Sequence, residues 1–155
     1  MSFLLKILWR IIPTRSRLHR IKPRLYANST CQLCPQGLAP MEETLEHALM
    51  DCKANMGLPR RLLQVLQSHQ PGATTRTVVT LDLELEPSLE LPMTWVIGTM
   101  MSSISAQREE GRVSIGKTRT DLESGCRLLR ATRIGSLTNA ATLAEIIVRD
   151  FLVGI

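Results

Sequence analysis

Aromatic side chains are scarce in this chain: two Trp, two Phe and one Tyr make up 3% of its 155 residues. Any core must therefore be built from Leu, Ile, Val and Met, which the 44% hydrophobic content allows. No apolar run approaches the length of a membrane span. The run over residues 1–12 is broken by Lys6 and Arg10, and no small-residue cleavage site follows, which argues against a secretion signal. There is no internal repeat and no low-complexity tract. The length bounds the chain to one domain, or one small module plus a second piece.

Acidic residues are missing from one region in particular. Residues 1–30 hold seven Lys/Arg and no Asp or Glu, residues 31–90 hold four basic and eight acidic, and residues 91–155 hold eight and six. The overall charge of +5 thus conceals a basic arm. Such an arm is the electrostatic footprint of a polyanion partner, although a solubilising face would look the same. Its cations Arg10, Arg15, Arg17, Arg20, Lys22 and Arg24 are the candidate nucleic-acid contacts, with Tyr26 available to stack on a base.

Cysteine is used sparingly and unevenly. Two disulfides in a secreted domain would account for four cysteines, but three of the four cluster with a histidine within 22 residues, and Cys126 stands alone. The spacing is Cys-x2-Cys-x12-His-x4-Cys: Cys31, Cys34, His47 and Cys52. A two-residue gap lets two thiolates point inward from one tight turn, and a separate segment returns the other pair. Four soft N/S ligands of this kind suit one tetrahedral, closed, structural zinc ion. The same pattern favours a reducing, intracellular compartment, nucleus or cytoplasm.

Apolar spacing predicts a mostly α chain. Leu4, Leu5, Leu8, Ile11 and Ile12 share a helical face, and Pro13 stops that helix. A second basic helix follows, with Leu18 and Ile21 turned inward and His19 exposed. Residues 35–40 form the loop of the zinc knuckle, with Gly37 free to adopt positive φ. Residues 42–50 are good helix formers and would present His47, with Cys52 just past the end. Pro59 opens the next helix, whose apolar side carries Leu62, Leu63 and Leu66. Residues 77–86 change period: Leu81, Leu83 and Leu85 alternate with Asp82, Glu84 and Glu86, which reads as a short strand or an extended segment covering a groove. Pro87 and Pro92 bracket a linker. About three C-terminal helices follow: 93–110; one marked by Leu122, Cys126 and Leu129; and 139–152. The expected organisation is a basic helical arm at 1–30, a zinc module with its following helix at 31–70, a linker with the extended segment at 71–92, and a helical region at 93–155.

Gly111-Arg-Val-Ser-Ile-Gly116-Lys117-Thr118 fits the phosphate-loop pattern letter for letter. A working phosphate loop needs a buried strand just before its first glycine. Here the preceding residues are the charged end of a helix, so nucleotide binding is not expected.

Cys31, Cys34, Glu43, Thr44, His47 and Cys52 resemble the zinc-binding module that follows the polymerase in non-LTR (LINE-type) retrotransposon reverse transcriptases, which reads Cys-x-x-Cys, a variable loop, Glu-Thr-x-x-His and a cysteine. The resemblance is specific over residues 31–52 and looser elsewhere. It implies a C-terminal piece of such a protein, a module that helps hold template RNA or target DNA. The aromatic-x-Asp-Asp polymerase motif has no counterpart, because the chain contains no Asp-Asp. The expected function is zinc-stapled, mostly non-specific RNA or DNA binding without catalysis. Docking on a reverse-transcriptase domain or another protein through apolar helices, or a non-functional remnant, are the alternatives. No membrane and no small-molecule substrate are expected, and Glu43 is expected to serve the dipole of its own helix.

Overall fold

The computed structural model describes residues 14–34, 39–80, 87–132, 135–153 and 155. The expected helix at 3–12, Arg10, the knuckle loop around Gly37, and residues 81–86 of the expected strand lie outside the described residues. Within them the chain is mostly helical and contains no strand. The nearest thing to one is an isolated antiparallel bridge between Thr30 and Glu42.

Helix α1 (Arg15–Ile21) begins at Thr14, whose hydroxyl accepts from the Arg17 N–H and caps the first turn. It ends just before Pro23, where helical backbone is disfavoured. No residue of α1 is buried, and Ile21 is exposed rather than packed inward. A cationic helix this short has too little apolar face to sink into a core. Tertiary hydrogen bonds hold it instead.

Residues 42–50 do not form an ordinary α-helix. After Leu45 and Glu46 the backbone opens into one π-helical turn, His47–Asp51, in which His47, Ala48, Leu49 and Met50 are all buried. A 3-10 turn, Lys53–Asn55, follows, and then the left-handed pair Met56 and Gly57. Helix α2 (Leu58–His69) opens on Pro59 and buries Leu58, Leu62, Leu63 and Leu66, as its spacing predicts.

Thr77 to Thr80 were expected to be extended. They form part of helix α3 (Thr75–Thr80) instead. The β-branched residues lose their strand preference to burial. One turn places Val78 (0% exposed) and Val79 (9%) in the core against the π-helical turn, and tertiary burial overrides propensity.

Helix α4 (Pro87–Glu109) absorbs both prolines that were expected to bracket a linker. Pro87 sits at the first position, where its missing N–H costs nothing, and Pro92 lies early in the helix. Met93, Val96, Ile97, Met100, Met101 and Ile104 are all buried, so α4 is the central helix. Helices α5 (Ile115–Ala131) and α6 (Gly135–Leu152) pack on it and on each other. Leu122, Cys126 and Leu129 form the buried stripe of α5. On α6, Ala141, Ala144, Ile147, Val148 and Phe151 are buried, while Leu143 is only partly so. Helix α2 packs across α6 and α4. One apolar cluster runs from Leu49 and Met50 through Leu62 and Ile97 to Phe151. None of the described helices is long and apolar enough to cross a membrane.

Candidate metal centre

Thr30 and Glu42 bring the two halves of the site together. Cys31 N–H donates to the Met41 carbonyl at 2.8 Å, and Glu43 N–H donates to the Ser29 carbonyl at 2.8 Å. Cys31 and Cys34 lie on one side of this bridge. Thr44 lies on the other, and its hydroxyl accepts from the His47 N–H at 3.1 Å, capping the turn that presents His47. The π-helical turn then solves a geometric problem. On an α-helix, five residues advance about 500°, which would leave His47 and Cys52 roughly 140° apart. The wider turn closes with the Cys52 N–H on the His47 carbonyl at 2.8 Å and brings both side chains to one side.

The resulting Cys31, Cys34, His47 and Cys52 group has all of its ligand atoms within 4.8 Å of one another. A tetrahedral ion with metal–sulfur bonds of ~2.3 Å sets two thiolates about 3.8 Å apart. Cys52 Sγ is 3.7 Å from Cys31 Sγ and 3.9 Å from Cys34 Sγ, and Cys34 Sγ is 3.3 Å from His47 Nε2. These separations match the edges such a tetrahedron would have, and they are far longer than an S–S bond at ~2.05 Å. The donor set fits one metal ion, and Nε2 is the histidine atom aimed into it.

The thiols interact strongly. Cys34 is pushed up to about 12, first by burial and then by its hydrogen bond with Cys31. Burial also raises Cys31, against an opposing hydrogen bond from Arg108. Burial works in the same direction on Cys52, but hydrogen bonds from Arg108 and the Ala54 backbone, with the Arg108 charge, outweigh it, and this thiol falls below its ordinary value. Three adjacent thiols resist ionising together unless a cation sits among them, which is the chemistry a bound metal ion supplies.

Arg108 was not singled out from the sequence. It comes from the last turn of α4, 77 positions beyond Cys31, and its Nη2 lies 3.5 Å from Cys31 Sγ and 2.8 Å from Glu43 Oε2. Nη1 donates to Asn55 Oδ1 at 3.1 Å, and Asn55 in turn donates to the Ala48 carbonyl at 2.7 Å. The one available signal was register: Arg108 falls four residues after the buried Ile104, on the inward face of an apolar helix.

Glu43 does not simply serve the dipole of its own helix. It precedes that turn, and its carboxylate joins two other elements: Oε1 accepts the Arg15 N–H at 2.9 Å, and Oε2 accepts Arg108. The Ser16 N–H donates to the Glu43 carbonyl at 3.3 Å, and the Ser16 hydroxyl donates to Glu42 at 2.7 Å. The Glu-Thr-x-x-His pattern thus has a physical content: Glu43 docks neighbours, Thr44 caps, His47 offers a ligand.

The expected nucleic-acid residues divide. Arg17, Arg20, Lys22 and Arg24 are exposed, and none forms an ion pair among the described residues. Arg15 is already engaged: its guanidinium lies 5.5 Å over the Tyr26 ring. His19 is half-buried rather than exposed, its Nδ1 2.6 Å from the Tyr26 carbonyl oxygen. The Gly111–Thr118 stretch is a helix-to-helix corner. Gly111 takes φ +86°, Ser114 caps α5, and the buried Thr118 hydroxyl donates to the Ser114 carbonyl and accepts from Gln107. That hydroxyl faces the packed interior, and no strand precedes the corner. The chain matches no family model, no curated protein and no solved structure.

Proposed function

We propose that this chain is a zinc-stapled module that binds RNA or DNA through its basic helix and performs no catalysis of its own, in keeping with its resemblance to the zinc-binding tail of LINE-type reverse transcriptases. The observation that supports it best is the direct joining of the metal cluster to α1. The segment between the ligands carries Glu43, which holds the first two backbone N–H groups of α1. Beyond that joint stand four exposed cations that form no ion pair among the described residues. Three cysteines and one histidine favour zinc among common metals, and four protein ligands leave no open position for a substrate or an activated water. Zinc supplies cohesion between two short segments that have little core of their own.

Two measurements test this reading. Native mass spectrometry of the full chain should find one zinc, lost in His47→Ala; a wild-type protein with none would remove the staple from the proposal. Fluorescence anisotropy with single-stranded RNA and duplex DNA should show sequence-tolerant binding that weakens with salt. Four phosphate contacts correspond to a log–log slope of about −2.8 on single strands and about −3.6 on duplex DNA. Replacing Arg17, Arg20, Lys22 and Arg24 together by Ala should abolish it, and absence of binding by the wild type at low salt would refute the nucleic-acid role.

A protein-docking role is the second reading. It is favoured by Val153 (65% exposed), which lines a groove of about 440 Å³ with Cys126, Val148 and Leu152 between α5 and α6. Most apolar residues of 93–110 are buried inside the bundle, so this reading places the docking surface on α5 and α6.

A further inference from the structure

A buried guanidinium links three parts of the molecule that the sequence keeps far apart. Arg108 has 9% of its side chain exposed and Glu43 has 12%, so their contact is an interior ion pair rather than a surface one. Arg108 reaches Glu43, Asn55 and Cys31 from one planar group, a geometry that suits guanidinium and not ammonium. The bundle fixes its origin. The Gly111 N–H bonds the Arg108 carbonyl at 3.0 Å and the Arg112 N–H bonds the Gln107 carbonyl at 3.1 Å, which closes the end of α4. Gln107 is itself locked, its amide nitrogen on the Ser103 and Thr118 hydroxyls and its oxygen accepting the Ser114 N–H at 2.6 Å. Arg108 is therefore held rigidly against a pair of chain segments that are joined to each other by one two-bond bridge and that a metal ion would clamp at their ligand ends.

Charge points the same way. A divalent ion held by three thiolates and a neutral imidazole leaves the cluster at −1, and Glu43 adds another −1. Arg108 lies between them, and the N-terminal N–H groups of α1 meet the other side of Glu43. Charged groups this deep persist only when they are matched in this manner.

We propose that Arg108 and Glu43 form a relay through which metal loading of the Cys31, Cys34, His47 and Cys52 cluster fixes the basic helix α1 on the helical bundle. The relay rests on the metal reading given above. Loading holds the Cys31 segment and the π-helical turn at fixed separation, and this sets Glu43 between Arg108 and the Arg15 N–H. Loss of the ion leaves the two segments joined by the Thr30–Glu42 bridge alone, Glu43 shifts from its position, and α1 loses the anchors of its first turn. Arg108 is thus a positioning residue: it touches the ligand shell and sets where the cations of α1 stand. Nucleic-acid affinity then becomes metal-dependent although none of Arg17, Arg20, Lys22 or Arg24 touches the site.

The test uses the full chain, zinc alone as ligand, and amide exchange by NMR at Arg15 and Ser16, the two N–H groups on Glu43. In the wild type, removal of zinc by a chelator should speed exchange at both amides about tenfold or more. Arg108→Met should bind zinc about 10- to 100-fold more weakly in a chelator competition. Saturated with zinc, it should still leave Arg15 and Ser16 in fast exchange. Arg108→Lys, which keeps the charge without the fork, should recover only part of either property. Glu43→Gln should speed exchange at the two amides with a smaller loss of zinc affinity. Unchanged exchange at Arg15 and Ser16 on zinc removal from the wild type would overturn the relay, as would wild-type zinc affinity in Arg108→Met. The wild-type arm decides even if a variant fails to fold. A wild type that binds no zinc would instead sink the metal reading, and one that binds zinc while α1 stays indifferent would sink the relay alone.

Discussion

Arg108 and Arg130 show how burial changes what a salt bridge does. Arg108 meets Glu43 in the interior, where removing one partner strands the other and costs about 3–5 kcal/mol. Arg130 meets Glu145 through two bonds of 2.7 and 2.6 Å, but half in solvent, where such pairs contribute little. The Arg130 hydrogen bond still holds the Glu145 carboxyl below its ordinary value, against a slight opposing effect of burial. A carboxyl depressed in the folded state stabilises the fold above its unfolded pKa, and that contribution disappears as pH falls through the folded value. Arg130→Met should therefore lower Tm slightly near neutral pH, and the gap from wild type should close as pH drops below the carboxylate range. Thermal melts over that range check it; a gap that widens in acid would contradict it. Of the residues that matter at the candidate metal centre, Cys31, Cys34, His47 and Cys52 are legible as spacing. Arg108 and Asn55 are not, because their value lies in a meeting of segments that no local pattern records.

Among the elements, the crossing of α4 and α5 depends on a missing side chain. A Cβ built on Gly125 would stand 2.9 Å from Thr99 Cγ2 and 3.4 Å from Trp95 Nε1. The Trp95 indole N–H donates to the Gly125 carbonyl at 3.0 Å, so the close approach is also hydrogen-bonded. Glycine inside a helix sacrifices about 1 kcal/mol of propensity, and the close packing compensates. Gly125→Leu should destabilise the fold by about 1–3 kcal/mol through overpacking and should shift Trp95 fluorescence, as urea unfolding will show. If it stabilised the protein, the crossing would have to be looser than the structure has it. The helices α2, α4, α5 and α6 were readable from their apolar periodicity, although α4 starts earlier than Pro92 suggested. The π-helical turn and α3 were not. Residues 42–50 carry ordinary helix formers, and only the need to face His47 and Cys52 across four residues opens the backbone. Val78 and Val79 favour a strand by type, and the core claims them as a helix.

On the scale of the whole molecule, the residues of the candidate metal centre and the C-terminal bundle share one core. Leu49 and Met50, which lie between two of the ligands, are 0% and 2% exposed against the same cluster as Ile97 and Phe151. Metal removal should therefore reach beyond residues 31–52. Releasing two such side chains costs about 3–6 kcal/mol, or a Tm drop of roughly 10–20 °C followed by circular dichroism of the bundle helices. A bundle that melts at the same temperature with and without chelator would show the two parts to be independent. The sequence by itself determined the helical class, the Cys31, Cys34, His47 and Cys52 set, the basic arm and most of the buried stripes, because each is written in spacing or charge within one segment. Tertiary structure alone decided which cation stands behind the candidate metal cluster, what Glu43 joins, and where residues 77–80 turn helical. Those outcomes depend on surfaces meeting across tens of residues, where burial and the matching of charge outweigh local preference.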